Sequence, residues 1–133
     1  MKRYLREPGT PFVRRLLAAA PAATSRLSEA EVGSALARRL REGHLTAAQY
    51  QTALTALLAD VGRFHVVELS PPVVSAVHAL LGRHPLRAGD ALQLASALAL
   101  RGELGLGRGF EIVVYDRRLR AAARAEGLRL RPA

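Results

Sequence analysis

The sequence contains no cysteine, and aromatic residues make up only 5% of its 133 residues. Without cysteine, disulfides, thiolate metal sites and a cysteine nucleophile are all excluded. Because aromatic side chains are scarce, the core must be aliphatic. No apolar run approaches the length of a membrane span, so we expect no membrane association. Half of the residues are nevertheless apolar, which favours a folded globular protein over a disordered chain.

Acidic residues and lysine are also few. The chain has 11 Asp and Glu residues and 20 Lys and Arg residues, which gives a formal net charge of +9. Every basic residue except Lys2 is arginine. A GC-rich genome would produce this composition without any functional reason. Phosphate recognition would produce it too, since a guanidinium group binds phosphate oxygens bidentately. Charge alone does not decide between these two explanations.

The length is enough for one domain and too short for two, so we expect a single domain over residues 1–133. Arg14 and Arg15, followed by an apolar stretch, imitate a short export signal. That stretch is brief and is broken by Pro21, so the sequence favours a cytoplasmic protein.

Hydrophobic periodicity and turn residues predict an alternation of helices and strands. The predicted elements are a helix over 11–20, a strand over 22–26, helices over 28–43 and 46–62, a strand over 65–69, helices over 70–81 and 89–100, a strand over 111–115, a helix over 117–127 and a short strand over 128–130. Such an alternation implies an α/β fold with a mainly parallel sheet flanked by helices.

Two of these helices begin with capping boxes, in which a hydroxyl residue is followed three positions later by Glu or Gln. Ser28 with Glu31 is the first, and Thr46 with Gln49 is the second. The two helices are therefore predicted to form a helical hairpin over 28–62.

Three carboxylates stand at the ends of predicted elements. Glu31 lies in the first turn of its helix, Asp90 opens the helix over 89–100, and Asp116 follows the strand over 111–115. In an open parallel sheet, strand carboxyl ends and helix amino ends share one edge, where ligands bind. The three acids can therefore converge on one site.

Each acid also has a structural explanation. Glu31 can be the partner of the Ser28 capping box, and Asp116 can cap the last helix. Asp90 is harder to explain in this way, because its helix has almost no polar face. A carboxylate with few routes to water needs compensation, which helix N–H groups and a cation would supply.

Clustered carboxylates are hard oxygen ligands that suit Mg²⁺ or Mn²⁺, and such ions promote phosphodiester hydrolysis. Arginines would hold the polyanionic substrate near these acids. The arginines close to them in sequence are Arg38, Arg39, Arg41, Arg117, Arg118 and Arg120. We assign substrate binding to Arg38, Arg117 and Arg118, although a solvated surface charge is the preferred explanation for most of the six arginines. The histidines show no metal-ligand spacing, and we assign them no role.

Four blocks of the chain resemble the PIN-domain nucleases, and most closely the VapC-type toxins of bacterial toxin–antitoxin modules. The blocks are YLREPG at 4–9, TSRLSEAEVGSALARR at 24–39, LRAGDALQLASA at 86–97 and VVYDRRL at 113–119. They occur in the family's order, and the block around Asp90 is the most specific of them.

This resemblance implies a PIN-like three-layer domain that acts as an Mg²⁺- or Mn²⁺-dependent endoribonuclease, with acids from four places in the chain. Glu31, Asp90 and Asp116 match three of them: the Asp90-type acid holds the principal metal with the first family acid, and the other two complete the site. The resemblance also implies a small antitoxin partner and a homodimer.

The chain departs from the family pattern at its start. In the family, a central strand ending in an Asp-containing motif precedes the segment that matches residues 2–5, whereas this sequence starts at Met1. We therefore expect an N-terminally truncated domain that lacks one strand and one ligand. The alternative function is a catalytically impaired PIN-like module that binds RNA or an antitoxin without cleaving. A general DNA-binding protein is less favoured, because the sequence shows neither a recognition-helix pattern nor an aromatic stacking platform.

Overall fold

The structure is a computed structural model that describes residues 14, 15, 18, 22–105 and 110–132. Its elements are β1 (Ala23–Ser25), α1 (Arg26–Arg41), α2 (Ala47–Arg63), β2 (His65–Val67), α3 (Pro71–Arg83), α4 (Ala88–Leu104), β3 (Glu111–Val113), α5 (Arg117–Ala125) and β4 (Arg129–Arg131). This alternation of helices and short strands confirms the predicted α/β class. The chain divides into two compact units, Met1–Val66 and Val67–Ala133. The single-domain organisation expected from the sequence stays a prediction.

In the first unit, α1 and α2 pack against each other and bury Leu36, Ala53 and Leu57. The capping box predicted at the start of α2 is confirmed. The Thr46 hydroxyl accepts from the Gln49 N–H at 3.1 Å, and the Gln49 side-chain oxygen accepts from the Thr46 N–H at 2.9 Å. Strand β1 pairs with β2 beside the two helices.

The capping box predicted for α1 is wrong, because the helix begins at Arg26 and Ser28 lies inside it. Ser25 is the N-cap, and its hydroxyl accepts a hydrogen bond from the Leu27 N–H at 3.2 Å. As the last residue of β1, Ser25 already has the extended backbone of an N-cap, so the strand runs directly into the helix. Glu31 is therefore not the third residue of the helix, where a capping box would need it.

The turn after α1 depends on Gly43, whose φ of 77° lies in the left-handed region. The His44 N–H donates to the Arg39 carbonyl at 2.8 Å, and the Gly43 N–H donates to the Leu40 carbonyl at 3.1 Å. These two bonds form a Schellman motif, which satisfies carbonyls at the helix end and requires a residue that tolerates positive φ. The turn thus fixes where α1 stops and the chain reverses towards α2.

In the second unit, α3 and α4 pack together and α5 completes one hydrophobic core. The buried core residues include Val77, Leu80, Leu94, Leu119 and Ala123. Strands β3 and β4 pair in parallel with Glu111 opposite Arg129, Ile112 opposite Leu130 and Val113 opposite Arg131. Parallel pairing, predicted from the order of elements, is confirmed for these strands.

The four strands fall at the predicted places, but each has only three residues. The strand predicted over 65–69 ends at Val67, and the one predicted over 111–115 ends at Val113. The helix predicted over 11–20 lies mostly outside the described residues. Within that range the structure describes Arg14, Arg15 and Ala18, and these three are helical. Among the described helices, none is long and apolar enough to cross a bilayer.

Candidate functional site

Asp90 is the third residue of α4 and is half-buried. From Gly89 to Leu100 this helix has no exposed residue, which confirms the prediction of a helix without a polar face. The N-cap, Arg87, makes no side-chain bond to the helix end. Within the part of the chain that the structure describes, the Asp90 carboxylate has no hydrogen bond or ion pair. Its negative charge is favoured mainly by its place at the positive end of the helix dipole.

Asp116 is the N-cap of α5, and its Oδ1 accepts a hydrogen bond from the Leu119 N–H at 2.9 Å. The structural explanation offered by the sequence is therefore correct for this residue. The cap bond uses one carboxylate oxygen, and Oδ2 takes no part in it. Because the residue is exposed, this second oxygen can be reached from solution.

Glu31 lies in the second turn of α1 and is exposed. It belongs to the first unit, whereas Asp90 and Asp116 belong to the second. Inside each unit, the described residues include no group of three or more histidine, aspartate and glutamate side chains that could hold a metal ion. The convergence of all three acids stays a prediction.

The donor chemistry of the second unit fits Mg²⁺ or Mn²⁺. Asp90 and Asp116 supply carboxylate oxygens, which are hard ligands. Mg²⁺ sites in proteins typically use one or two carboxylates and complete the octahedron with water and substrate phosphate oxygens. The two acids of the second unit are thus as many carboxylates as such a site typically takes from a protein.

Arg117 and Arg118 are the first two residues of α5, directly after Asp116, and both are exposed. Positive charge is disfavoured at a helix N-terminus by the helix dipole. Among the described residues, neither arginine has an ion pair that would offset this cost. Their position is therefore not explained by stability. Arg38 is exposed in the last turn of α1, where the dipole favours a cation.

Arg120 lies close to these arginines in sequence, but its side chain has a structural role. Its Nη1 donates to the Val114 carbonyl and its Nη2 to the Pro132 carbonyl, both at 2.7 Å. The guanidinium therefore ties α5 to the ends of β3 and β4. The sequence carried no signal for this role, because both acceptors are main-chain carbonyls.

Two acids with clear interactions were missed by sequence reasoning. Glu126, the C-cap of α5, accepts from Arg83, and its Oε2 lies 3.5 Å from Nε2 of His84. The Arg83 hydrogen bond holds the pKa of the Glu126 carboxyl below its ordinary value. Partial burial acts in the opposite direction and raises this pKa, whereas the positive charge of Arg83 and the contact with His84 lower it further. These partners lie 43 and 42 positions away in sequence, too far for any local pattern.

The second missed acid is Asp60, which is buried in α2 with a side chain 1% exposed. It forms an ion pair with Arg63 one turn later. This i,i+3 spacing was visible in the sequence, but the spacing does not reveal that the acid points inward. We assign Asp60 a structural role in the first unit.

Comparison with known proteins decides the family. A family model described as PIN domain matches residues 4–125. The chain belongs to the PIN-domain family. Two similar proteins of Mycobacterium tuberculosis are named Ribonuclease VapC45 (strain CDC 1551 / Oshkosh) and Ribonuclease VapC49 (strain ATCC 25618 / H37Rv). Each is 38% identical over 112 residues, which cover 84% of this chain and 74% of the relative. The predicted resemblance to VapC-type PIN domains is therefore confirmed.

Proposed function

We propose that this PIN-domain protein is a metal-dependent endoribonuclease and the toxin of a cytoplasmic toxin–antitoxin module. The observation that carries the proposal is Asp90, a half-buried carboxylate with no protein partner among the described residues, at the start of the most specific family block. The ribonuclease names of the two relatives and the net charge of +9 support RNA as the substrate.

In this proposal Asp90, Asp116 and Glu31 hold Mg²⁺ or Mn²⁺. When bound, the ion activates water and neutralises the charge that develops on the phosphate. The cap bond to the Leu119 N–H orients the Asp116 carboxylate before the substrate binds, and α4 fixes the backbone position of Asp90.

The arginines bind the substrate. Arg117 and Arg118 follow Asp116 directly, so their guanidinium groups can hold the phosphate that faces this carboxylate. Arg38, on the other unit, binds a phosphate elsewhere along the strand. Each of these arginines reduces the electrostatic repulsion between the carboxylates and the RNA phosphates.

The test is cleavage of a fluorescent single-stranded RNA by the purified protein, with Mg²⁺ or Mn²⁺ titrated and then removed by chelation. We expect Asp90→Asn to lower the rate at least about 100-fold, because the change removes a metal-binding charge and keeps the shape. The matched control is Glu103→Gln, at the exposed far end of the same helix, which should cleave like the wild type. Full activity of Asp90→Asn would refute the site assignment.

The alternative is a PIN-like module that binds RNA or an antitoxin without cleaving. It is favoured by the absence, within each unit as described, of a group of three potential ligands. The same assay separates the two functions. Saturable RNA binding with no turnover at any Mg²⁺ or Mn²⁺ concentration would establish the binding module.

A small antitoxin is part of the proposal, and the first unit offers an apolar groove for it between α1 and α2. The groove is lined by Ala30, Gly33, Leu54, Leu57 and Leu58, with Arg26 and Glu29 beside them. Leu58 is 53% exposed, which is a high fraction for a leucine side chain.

Co-expression with a candidate antitoxin tests the groove. Leu58→Asp should abolish co-purification, whereas Thr55→Asp, an exposed position on the same helix, should not. Equal capture by both variants would place the antitoxin elsewhere.

A homodimer is also part of the proposed function. A molar mass from light scattering of about twice the chain mass of 14.3 kDa would support it.

A further inference from the structure

Strand β3 and the residues after it alternate between the core and the surface. Ile112 packs against the core and Val114 is only 7% exposed. Between and beside them, Glu111 is exposed, Val113 is 37% exposed and Tyr115 is 38% exposed. Within β3 the strand period of two places Glu111 and Val113 on one exposed face. Tyr115, which follows the strand, continues the same alternation of exposed and buried residues.

The neighbouring strand adds two arginines to this face. The parallel register places Arg129 opposite Glu111 and Arg131 opposite Val113, and both arginines are exposed. An ion pair of 2.9 Å between the Arg131 Nε and the Glu111 Oε2 shows that the two strands present these side chains on the same side. Arg129 has no ion pair in the described part of the chain, because the carboxylate of Glu111, the residue opposite it, is paired with Arg131.

We call this surface the Tyr115 face: Glu111, Val113, Tyr115, Arg129 and Arg131. It combines an aromatic ring, an aliphatic neighbour and an excess of positive charge. The Cα atoms of Tyr115 and Asp116 are consecutive and thus about 3.8 Å apart. The face is therefore next in the chain to Asp116, which is proposed above as part of the cleavage site, and to the two exposed arginines that follow it.

We propose that the Tyr115 face binds single-stranded RNA, with the Tyr115 ring stacked on the base next to the phosphate that faces Asp116. The inference rests on the proposed ribonuclease function and names the surface that receives the substrate. An aromatic ring can stack only on a base that is not already paired and stacked in a duplex, so the occupant is a single strand. Arg129 binds the backbone of the same strand, and its charge complements the phosphates.

The experiment measures binding separately from cleavage. A fluorescent single-stranded RNA is titrated with the protein in the presence of a chelator, and anisotropy reports the affinity. Tyr115→Ala should weaken binding roughly tenfold through loss of stacking. Tyr115→Phe retains the ring and should bind like the wild type. The matched control is Tyr50→Ala, which removes the same side chain from α2 in the first unit and should leave the affinity unchanged.

A second variant keeps the test independent of any folding defect at Tyr115. Arg129→Gln changes an exposed side chain without an ion pair, and it should lower the slope of log affinity against log salt concentration by about 0.7. A duplex of the same sequence should bind at least about tenfold more weakly than the single strand, since its bases offer no exposed face to the ring.

Three outcomes separate this inference from the proposed function. If the wild type cleaves RNA and a folded Tyr115→Ala binds like it, the inference is wrong and the nuclease stands. If binding depends on Tyr115 but no Mg²⁺ or Mn²⁺ concentration gives cleavage, the Tyr115 face is supported and the nuclease is rejected. If the wild type neither binds nor cleaves RNA, both are rejected.

Discussion

At the scale of single residues, the proposed function gives the carboxylate of Asp116 two uses. Its Oδ1 caps α5, and the proposal gives Oδ2 to the metal. Asparagine caps a helix as well as aspartate does, so Asp116→Asn should retain the free energy of unfolding and lose RNA cleavage. Asp116→Ala should lose the cleavage and in addition about 1 kcal/mol of stability. Urea unfolding and the cleavage assay measure the two effects separately.

The control for this prediction is Thr46→Ala, which removes the side-chain cap of α2. It should cost a similar amount of stability and leave the intrinsic cleavage rate of the folded protein unchanged. If Asp116→Asn cleaves RNA at the wild-type rate, Asp116 is a cap and nothing more.

Arg120 and Arg118 lie two positions apart in α5 and should behave in opposite ways. Arg120→Gln removes two charge-assisted hydrogen bonds to main-chain carbonyls, so we expect a loss of about 2 kcal/mol in the free energy of unfolding. Arg118→Gln, at an exposed position, should change stability by less than about 0.5 kcal/mol and weaken RNA binding. Denaturant titration together with RNA anisotropy tests the pair, and equal effects on stability would contradict the structural role of Arg120.

At the scale of elements, alanine in place of each of two glycines in the helical hairpin should change the free energy of unfolding in opposite directions. Gly43 has φ of 77°, and a Cβ there would meet no atom within 4 Å, so the cost of Gly43→Ala is backbone strain of about 1 kcal/mol. Gly62 lies inside α2, also in open space, and Gly62→Ala should stabilise the protein by about 0.5–1 kcal/mol. Chemical unfolding of both variants measures the difference. A stabilised Gly43→Ala would exclude the left-handed turn.

The ends of α3 and α5 are joined by Glu126 with Arg83 and His84. Because the hydrogen bond from Arg83 lowers the pKa of Glu126 below its ordinary value, the ionised form of Glu126 contributes stability that is fully present above the unfolded pKa. That contribution disappears as the pH falls through the lower folded pKa. The urea midpoint of the wild type should therefore exceed that of Glu126→Gln near neutral pH, and the two should converge below about pH 4.5.

Gln51→Ala is the control for this pH dependence, since Gln51 is an exposed residue of α2 and its substitution leaves every titratable group in place. The difference between its urea midpoint and that of the wild type should stay constant over the whole pH range. A gap between wild type and Glu126→Gln that persists or widens in acid would rule out the lowered pKa as its cause.

At the scale of the whole molecule, the net charge of +9 predicts RNA binding that weakens steeply with salt. Each arginine that contacts a phosphate of a single strand should contribute about 0.7 to the slope of log affinity against log salt concentration. Arg117→Gln should therefore flatten the slope by that amount, whereas Arg124→Gln, in the last turn of the same helix, should not. Equal slopes for the two variants would mean that Arg117 makes no specific phosphate contact and that the net charge attracts RNA without regard to position.

The sequence alone determined what neighbouring residues decide. The order of helices and strands, the Thr46 capping box, the buried character of α4 and membership of the PIN-domain family were all predicted correctly. Each depends on periodicity, capping or motifs within a few positions, and these are local properties of the chain. The error at Ser28 is instructive, because Ser25 offered a second possible cap only three residues earlier, and the end of β1 selected it.

Tertiary structure decided the rest, because it brings together residues that are far apart along the chain. The partners of Arg120, the Glu126 cluster and the burial of Asp60 follow from packing between elements, and no local pattern encodes them. The Tyr115 face likewise needs the register of β3 against β4 before its aromatic ring and arginines share one surface. The sequence thus specified the elements and named the acids, whereas packing determined which side chains, such as those of Arg120, Glu126 and Asp60, have structural partners.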